Sequence, residues 1–151
     1  MKRSSRLSLA LHALVHLHKQ PDQAITSTTL ATCLMTNPVV VRRVLGELRE
    51  AGIVASTKGH DGGWRLLRPA TDISLRTIYS AMGESLLIRT ESDPGDRQCG
   101  IVRAVDTVMG EFIADAEALL AARLERVSLD DIARQAVPHP LPSHSGDHHH
   151  G

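Results

Sequence analysis

Arg42 and Arg43 stand side by side in the run Asn37-Pro38-Val39-Val40-Val41-Arg42-Arg43-Val44-Leu45. Val41, Val44, Leu45 and Leu48 follow an i, i+3, i+4, i+7 spacing, which makes them the inward stripe of a helix. The opposite face then holds Val39, Arg43, Gly46 and Glu50, with Arg42 and Glu47 flanking it. An outward guanidinium with neighbouring apolar methyls can read base edges: arginine donates two hydrogen bonds to guanine, and valine touches the thymine methyl. A good bidentate pair contributes about 1–3 kcal/mol of discrimination. The plainer alternative is a solvated helix face with two ordinary arginines.

Two thiols and nine histidines are the other groups that could do chemistry. Cys99 directly precedes Gly100 at the expected start of a long helix, where free N–H groups and the positive end of the dipole favour a thiolate. Arg97 and Arg103 lie close in sequence. That setting suits a sensor cysteine whose oxidation, nitrosylation or attack on an electrophile alters the protein; an inert thiol is the alternative. Cys33, between Leu30 and Leu34, reads as a small apolar residue. His12 and His16 share a helix face at i, i+4, a zinc-compatible spacing, without the glutamate of a metalloprotease pattern. His144, His148, His149 and His150 could bind nickel or zinc weakly. The expectation is no metal site, with histidines that are structural or solvated.

These groups need elements to position them. Leu7, Leu11, Leu14 and Val15 predict a first helix over about Arg6–Lys19, closed by Gln20-Pro21-Asp22. A second helix starts at Thr26 or Ser27, both suited to an N-cap, and runs to Leu34. Met35-Thr36-Asn37 is the turn. Asn37 caps the third helix, Pro38 occupies its first turn, and Gly52 takes the left-handed position after it. Ile53–Thr57 and Trp64–Arg68 are strand candidates around Lys58-Gly59-His60-Asp61-Gly62-Gly63, a hairpin tip that its glycines permit. Ser74 caps a helix to about Met82, and Glu84–Gln98 reads as loop. A long helix spans about Gly100–Arg126, and Ser128 to Asp131 forms a capping box for a short last helix. From Pro138 the Pro/Ser/His-rich tail reads as disordered. The order helix, turn, helix, hairpin describes a winged helix-turn-helix within a mainly α fold, with a small β-wing.

Composition points the same way. The formal net charge is zero, yet residues 1–69 carry ten Lys and Arg against four Asp and Glu, while residues 70–151 carry seven against thirteen. A basic half joined to an acidic half suggests a polyanion-binding module carrying something else. Trp64, Tyr79 and Phe112 are the only aromatic residues, too few for the stacking platforms that bind single strands. Double-stranded DNA is therefore the expected partner. Contacts would come from Arg3, the start of the second helix at Ser27 and Thr28, then Asn37, Pro38, Val39, Arg42 and Arg43, and Lys58, His60 and Arg65 of the wing. Lys2 and Arg6 join Arg3 as natural phosphate contacts, and Arg68 adds charge on the second strand. No apolar run reaches the ~18 residues of a membrane span, and the N-terminal Lys2-Arg3 followed by Leu7–Leu17 lacks a cleavage signal, so a cytoplasmic protein without membrane partners is expected. A nucleophile–base set, a phosphate loop and a three-ligand zinc spacing are all missing from the sequence, which argues against an enzyme.

The long helix carries two apolar stripes. Ile101, Val105, Val108, Phe112 and Leu119 form one; Val102, Met109, Ile113, Ala116 and Leu120 form the other. The pair is wider than one packing partner requires. One stripe is expected to bury against the N-terminal domain and the other against a second subunit, giving a homodimer. Four segments follow: residues 1–83, the DNA-binding domain; 84–99, a sensor-type loop; 100–137, the dimerisation helix and short C-terminal helix; and 138–151, the His-rich tail.

Together, Leu30-Ala31, Asn37 to Leu45, Leu48 to Val54, Lys58-Gly59, Gly62-Gly63-Trp64, Ile73-Ser74-Leu75 and Ile78-Tyr79 resemble the Rrf-two family of bacterial winged-helix regulators over about residues 1–125. The resemblance implies a homodimer crossed through its long helix, bound to two-fold operators and usually repressing. It also implies a recognition helix in the major groove and a basic residue at Lys58 in the minor groove. Many members hold an iron–sulfur cluster on three cysteines before the long helix. This chain has only Cys99 there, so no cluster is expected, and the chain is placed with the cluster-free members, switched by an oxidant or a small molecule. A winged-helix protein–protein module that does not bind DNA is the alternative function.

Overall fold

The computed structural model describes residues 5–59, 62–83 and 99–136. Six helices and one hairpin follow the order α1 (Ser5–Lys19), α2 (Ser27–Leu34), α3 (Pro38–Glu50), β1 (Val54–Thr57), β2 (Gly63–Leu66), α4 (Leu75–Ala81), α5 (Gly100–Glu125) and α6 (Leu129–Gln135). Each boundary has a local cause. The Thr26 hydroxyl accepts from the Thr29 N–H at 3.1 Å, Asn37 Oδ1 from Val39 N–H at 2.8 Å, and Ser74 Oγ from Thr77 N–H at 3.1 Å. All three are N-caps that satisfy donors the first helical turn leaves open. Met35 closes α2 in the left-handed region (φ 54°), and Gly52 follows α3 at φ 74°, where a residue without Cβ is least strained.

The hairpin is antiparallel, with Val54 opposite Leu66 and Thr57 opposite Gly63. Both strands are shorter than the sequence pattern suggests. Just outside the assigned strands Ile53 packs in the core while its carbonyl still accepts from the Leu67 N–H at 3.0 Å, and the chain bends at Leu67 and Arg68. A third backbone segment joins the sheet. Ile25 and Trp64 exchange both hydrogen bonds, at 2.9 and 2.8 Å. That approach is close enough that a Cβ on Gly63 would lie 2.7 Å from the Ile25 backbone. A 3-10 turn at Ala70–Asp72 then leads into α4.

One apolar core holds these elements. Leu14 and Leu17 of α1, Leu30 of α2, Val41, Val44, Leu45 and Leu48 of α3, then Ile53, Ile73, Ile78 and Leu129, are all fully buried. Each side chain of this size contributes about 1.5–3 kcal/mol by leaving water. Among the described residues no polar or charged residue is fully buried.

Two expectations require correction. The sequence grouped α6 with the long helix, but α6 packs with the N-terminal body. Leu129 joins the core, its N–H donates to Ile73 O at 2.8 Å, and Leu75 N–H donates to Val127 O at 2.8 Å. The amphipathic pattern showed that α6 has an apolar face, but not which body would cover it. The second correction concerns α5. Neither stripe is buried: Ile101, Val105, Val108, Phe112 and Leu119 are exposed, Phe112 by 68% and Leu119 by 75%, and Met109 is exposed as well. Val102, Ile113, Ala116 and Leu120 are half-buried. Among the described residues only the short α4 lies substantially against this helix, too little to cover a 26-residue helix.

Candidate nucleic-acid interface

The inward stripe of α3 locks its rotation. With Val41, Val44, Leu45 and Leu48 buried, Val39, Arg42, Arg43 and Glu50 face solvent. Val39 is 54% exposed at the start of the helix, an unfavourable place for a valine unless something covers it. Pro38, half-buried at the first helical position, fixes the approach of the turn. Asn37 spends its carbonyl oxygen on the cap and keeps its amide N–H groups for another acceptor. Among the described residues neither Arg42 nor Arg43 is held in an ion pair.

Glu47, on the flank of that surface, pairs with Arg6 of α1. Arg6, one of the basic residues expected near phosphate, is thus tied to α3, where it neutralises the acid beside the arginines. Lys58 follows β1 in an exposed position, and Arg65 faces out of β2. Gly59 (φ 112°) and Gly62 make the tip tight, with Gly62 N–H on Gly59 O at 3.0 Å. A Cβ on Gly62 would meet Thr57 O at 2.7 Å. His60 at this tip and Arg3 at the N-terminus lie outside the described residues.

Sequence reasoning missed what joins these elements. The Trp64 indole Nε1–H donates to Ser27 Oγ at 2.8 Å, which leaves the Ser27 hydroxyl hydrogen free to donate elsewhere. Arg49, near the end of α3, lies over the Trp64 ring with its guanidinium carbon 5.6 Å from the centroid and donates to Ser56 Oγ of β1 at 3.3 Å. One side chain therefore ties the start of α2, the end of α3 and the wing together. The alternation of β2, with Trp64 inward and Arg65 outward, could have signalled a buried indole that needs an acceptor. Ser27 and Thr28 occupy the first turn of α2, whose N–H groups have no intrahelical acceptor.

Cys99 stands exposed at the N-cap of α5. Its sulfur makes no cap hydrogen bond of ordinary geometry, but the nearby N–H groups of Val102, and then Ile101, hold the thiol below its usual pKa. Cys33 is half-buried on α2, and burial pushes its thiol up. His12 is exposed and His16 half-buried. Among the described residues no group of three or more His, Cys, Asp or Glu is placed to hold a metal, and no helix is long and apolar enough to cross a membrane.

A helix-turn-helix on a packed core, a glycine-tipped wing and a long C-terminal helix together match one family. A model of the Rrf2 family, described as an iron-dependent transcriptional regulator, covers residues 3–135. The chain belongs to the Rrf2 family. It is similar to YwnA of Bacillus subtilis, itself only provisionally described as an HTH-type transcriptional regulator. The two are 28% identical over 129 residues, or 85% of this chain and 95% of YwnA. Among solved structures it is similar to the oxidised form of Staphylococcus aureus CymR (26% identity, TM-score 0.61, 92% of this chain and 100% of that one). It also shares the fold of IscR from T. potens (20% identity, TM-score 0.68, 91% and 89% coverage). These relatives are regulators rather than enzymes.

The iron in the family description can be tested against the donors present. The whole chain has two cysteines, on two different helices' beginnings and middles: Cys99 opens α5 and Cys33 lies within α2. A thiolate-held cluster draws several cysteines to one place. The residues of this Rrf2 chain do not fit such a cluster.

Proposed function

We propose that this chain is a sequence-specific regulator of transcription that binds double-stranded DNA as a homodimer and represses. The observation that carries this is the solvent-facing start of α3, where Val39, Arg42 and Arg43 stand free of ion pairs on a helix locked by four buried residues. Lys58 and Arg65 of the wing supply further phosphate or groove contacts. The exposed apolar stripes of α5 support the dimer: two copies crossing there would cover Phe112, Leu119 and their neighbours, and would present two α3 helices to a two-fold operator. Such a protein works in the cytoplasm, where the chromosome is. With too few thiols for a cluster, it works without one.

Cys99 is the proposed switch. Its thiolate attacks a hydroperoxide, the O–O bond breaks, the terminal oxygen goes to sulfur as sulfenic acid, and an alkoxide or hydroxide leaves. The modified sulfur at the root of α5 then disturbs the dimer and weakens DNA binding.

Fluorescence anisotropy with the DNA upstream of its own gene, using reduced and peroxide-treated protein, tests both parts. Binding that falls steeply with salt marks phosphate contact, and its loss on oxidation but not in Cys99→Ser marks the switch. Equal binding in both redox states removes the switch and keeps the regulator. Salt-independent or absent binding removes the DNA function and raises the protein–protein module.

A further inference from the structure

A cleft of about 400 Å³ lies between the end of α1 and the segment that leaves the wing, and none of the DNA-facing groups uses it. Leu17, Pro21, Leu66 and Pro69 form apolar walls; His18 and Arg68 bring the charge-bearing groups. Arg68 is a residue of the basic half that the DNA surface does not absorb. Arg68 lies two residues past the end of β2, in the segment that leaves the wing. Arg68 is half-buried there.

Its electrostatic situation is incomplete. The Arg68 Nε–H is shielded from solvent and has no hydrogen-bond partner among the described residues, a costly arrangement for a donor on a charged group. No Asp or Glu lines the cleft. The acid that does reach a lining residue, Asp130, is already engaged by His18 Nε2 at 3.2 Å and by Arg134 Nη2 at 2.6 Å. A guanidinium with an unpartnered Nε–H beside apolar walls is complementary to one chemistry: a planar carboxylate, attached to a small apolar body. The volume falls within the range of small-molecule sites.

We infer that this cleft is an effector site for a small apolar monocarboxylic acid, its carboxylate on Arg68 and its body against Leu17, Leu66 and Pro69. Leu66 pairs with Val54 across the hairpin, and Leu17 is fixed in the core. A ligand wedged between them bears on the wing that carries Lys58 and Arg65. That last step rests on the DNA-binding function proposed above; the binding itself does not.

Calorimetry on the full chain with benzoate and with hexanoate, against benzyl alcohol and hexanol as neutral counterparts, tests the site without DNA. Saturable binding of an acid, one per chain, is expected, with the alcohols silent. Arg68→Gln is expected to bind about ten- to a hundredfold more weakly, the loss of a charge-assisted hydrogen bond. If that variant unfolds early, Arg68→Lys, which keeps the charge but loses the fork, should fall between. The site is overturned if neither acid saturates below about 10 mM, if the alcohols bind equally, or if the Arg68 variants bind like the parent. Repeating the anisotropy titration with bound acid separates the two proposals. Unchanged operator affinity overturns the coupling to the wing, whereas a parent protein that binds no DNA with or without acid overturns the DNA function and leaves the calorimetric result standing.

Discussion

The N-terminal body and the long helix α5 are both written in apolar stripes, yet they end up in opposite states. In the body, α1, α3 and α6 each turn their stripe against another element, and Leu14, Leu45 and Leu129 are fully buried. In α5, 26 residues long, nothing is buried. The difference teaches that a stripe reports the need for a partner without saying which. Among the described residues the body meets that need; α5 does not.

The sharpest way to break this comparison is to charge the uncovered helix. Phe112→Glu should leave the circular dichroism of the helices intact and weaken the proposed dimer by on the order of 3–6 kcal/mol, since a symmetric contact is lost twice. Sedimentation velocity reads it, and a parent protein that already sediments as a monomer would remove the contrast altogether. Cutting the body instead should act on folding: Leu45→Ala is expected to lower unfolding stability by about 2–5 kcal/mol in a urea titration. The exposed half of α3 should do neither. Arg43→Ala is expected to keep the unfolding midpoint and to weaken operator binding by about 1–3 kcal/mol, with relaxed preference at one base pair.

The smallest effect sharpens where the body ends. Ser128 and Asp131 form a reciprocal capping box, at 3.0 and 3.1 Å, so Ser128→Ala should cost about 0.5–2 kcal/mol of global stability. The Ser128 N–H, then its hydroxyl, hold the Asp131 carboxyl below its ordinary range. A depressed folded-state pKa means that this stabilisation is present above the usual carboxylate range and fades as pH falls through the Asp131 value. Ser128→Ala keeps the N–H that holds the carboxylate, so the gap that should close in acid is the one between the parent and Asp131→Ala. A gap that stays constant with pH would mean Asp131 takes no part.

Much of this was legible from residues alone. The caps at Asn37, Ser74 and Ser128 and the inward stripe of α3 are local or periodic signals, and local signals survive folding. The same periodicity placed Val39 and Arg43 outward. What escaped depends on contacts distant in sequence. Ile25 joins the sheet as a single residue, too short to show a period. The bond from Trp64 to Ser27, the pairing of Arg6 with Glu47, and the turn of Arg68 away from the DNA side each need the packed arrangement. The destination of α6 needed it too, because an amphipathic helix next to a long one looks like its companion.

That destination changes what counts as a domain. Leu129 fills the centre of a body whose other members end at residue 83 in the sequence, so the DNA-binding unit is discontinuous, and α5 is an excursion inserted into it. A fragment cut after residue 83 would lose a fully buried leucine and the backbone partners of Ile73 and Leu75. Isolating the reading head by truncation should therefore yield a loosened protein, whereas joining residue 83 to residue 127 through a short flexible linker should preserve it.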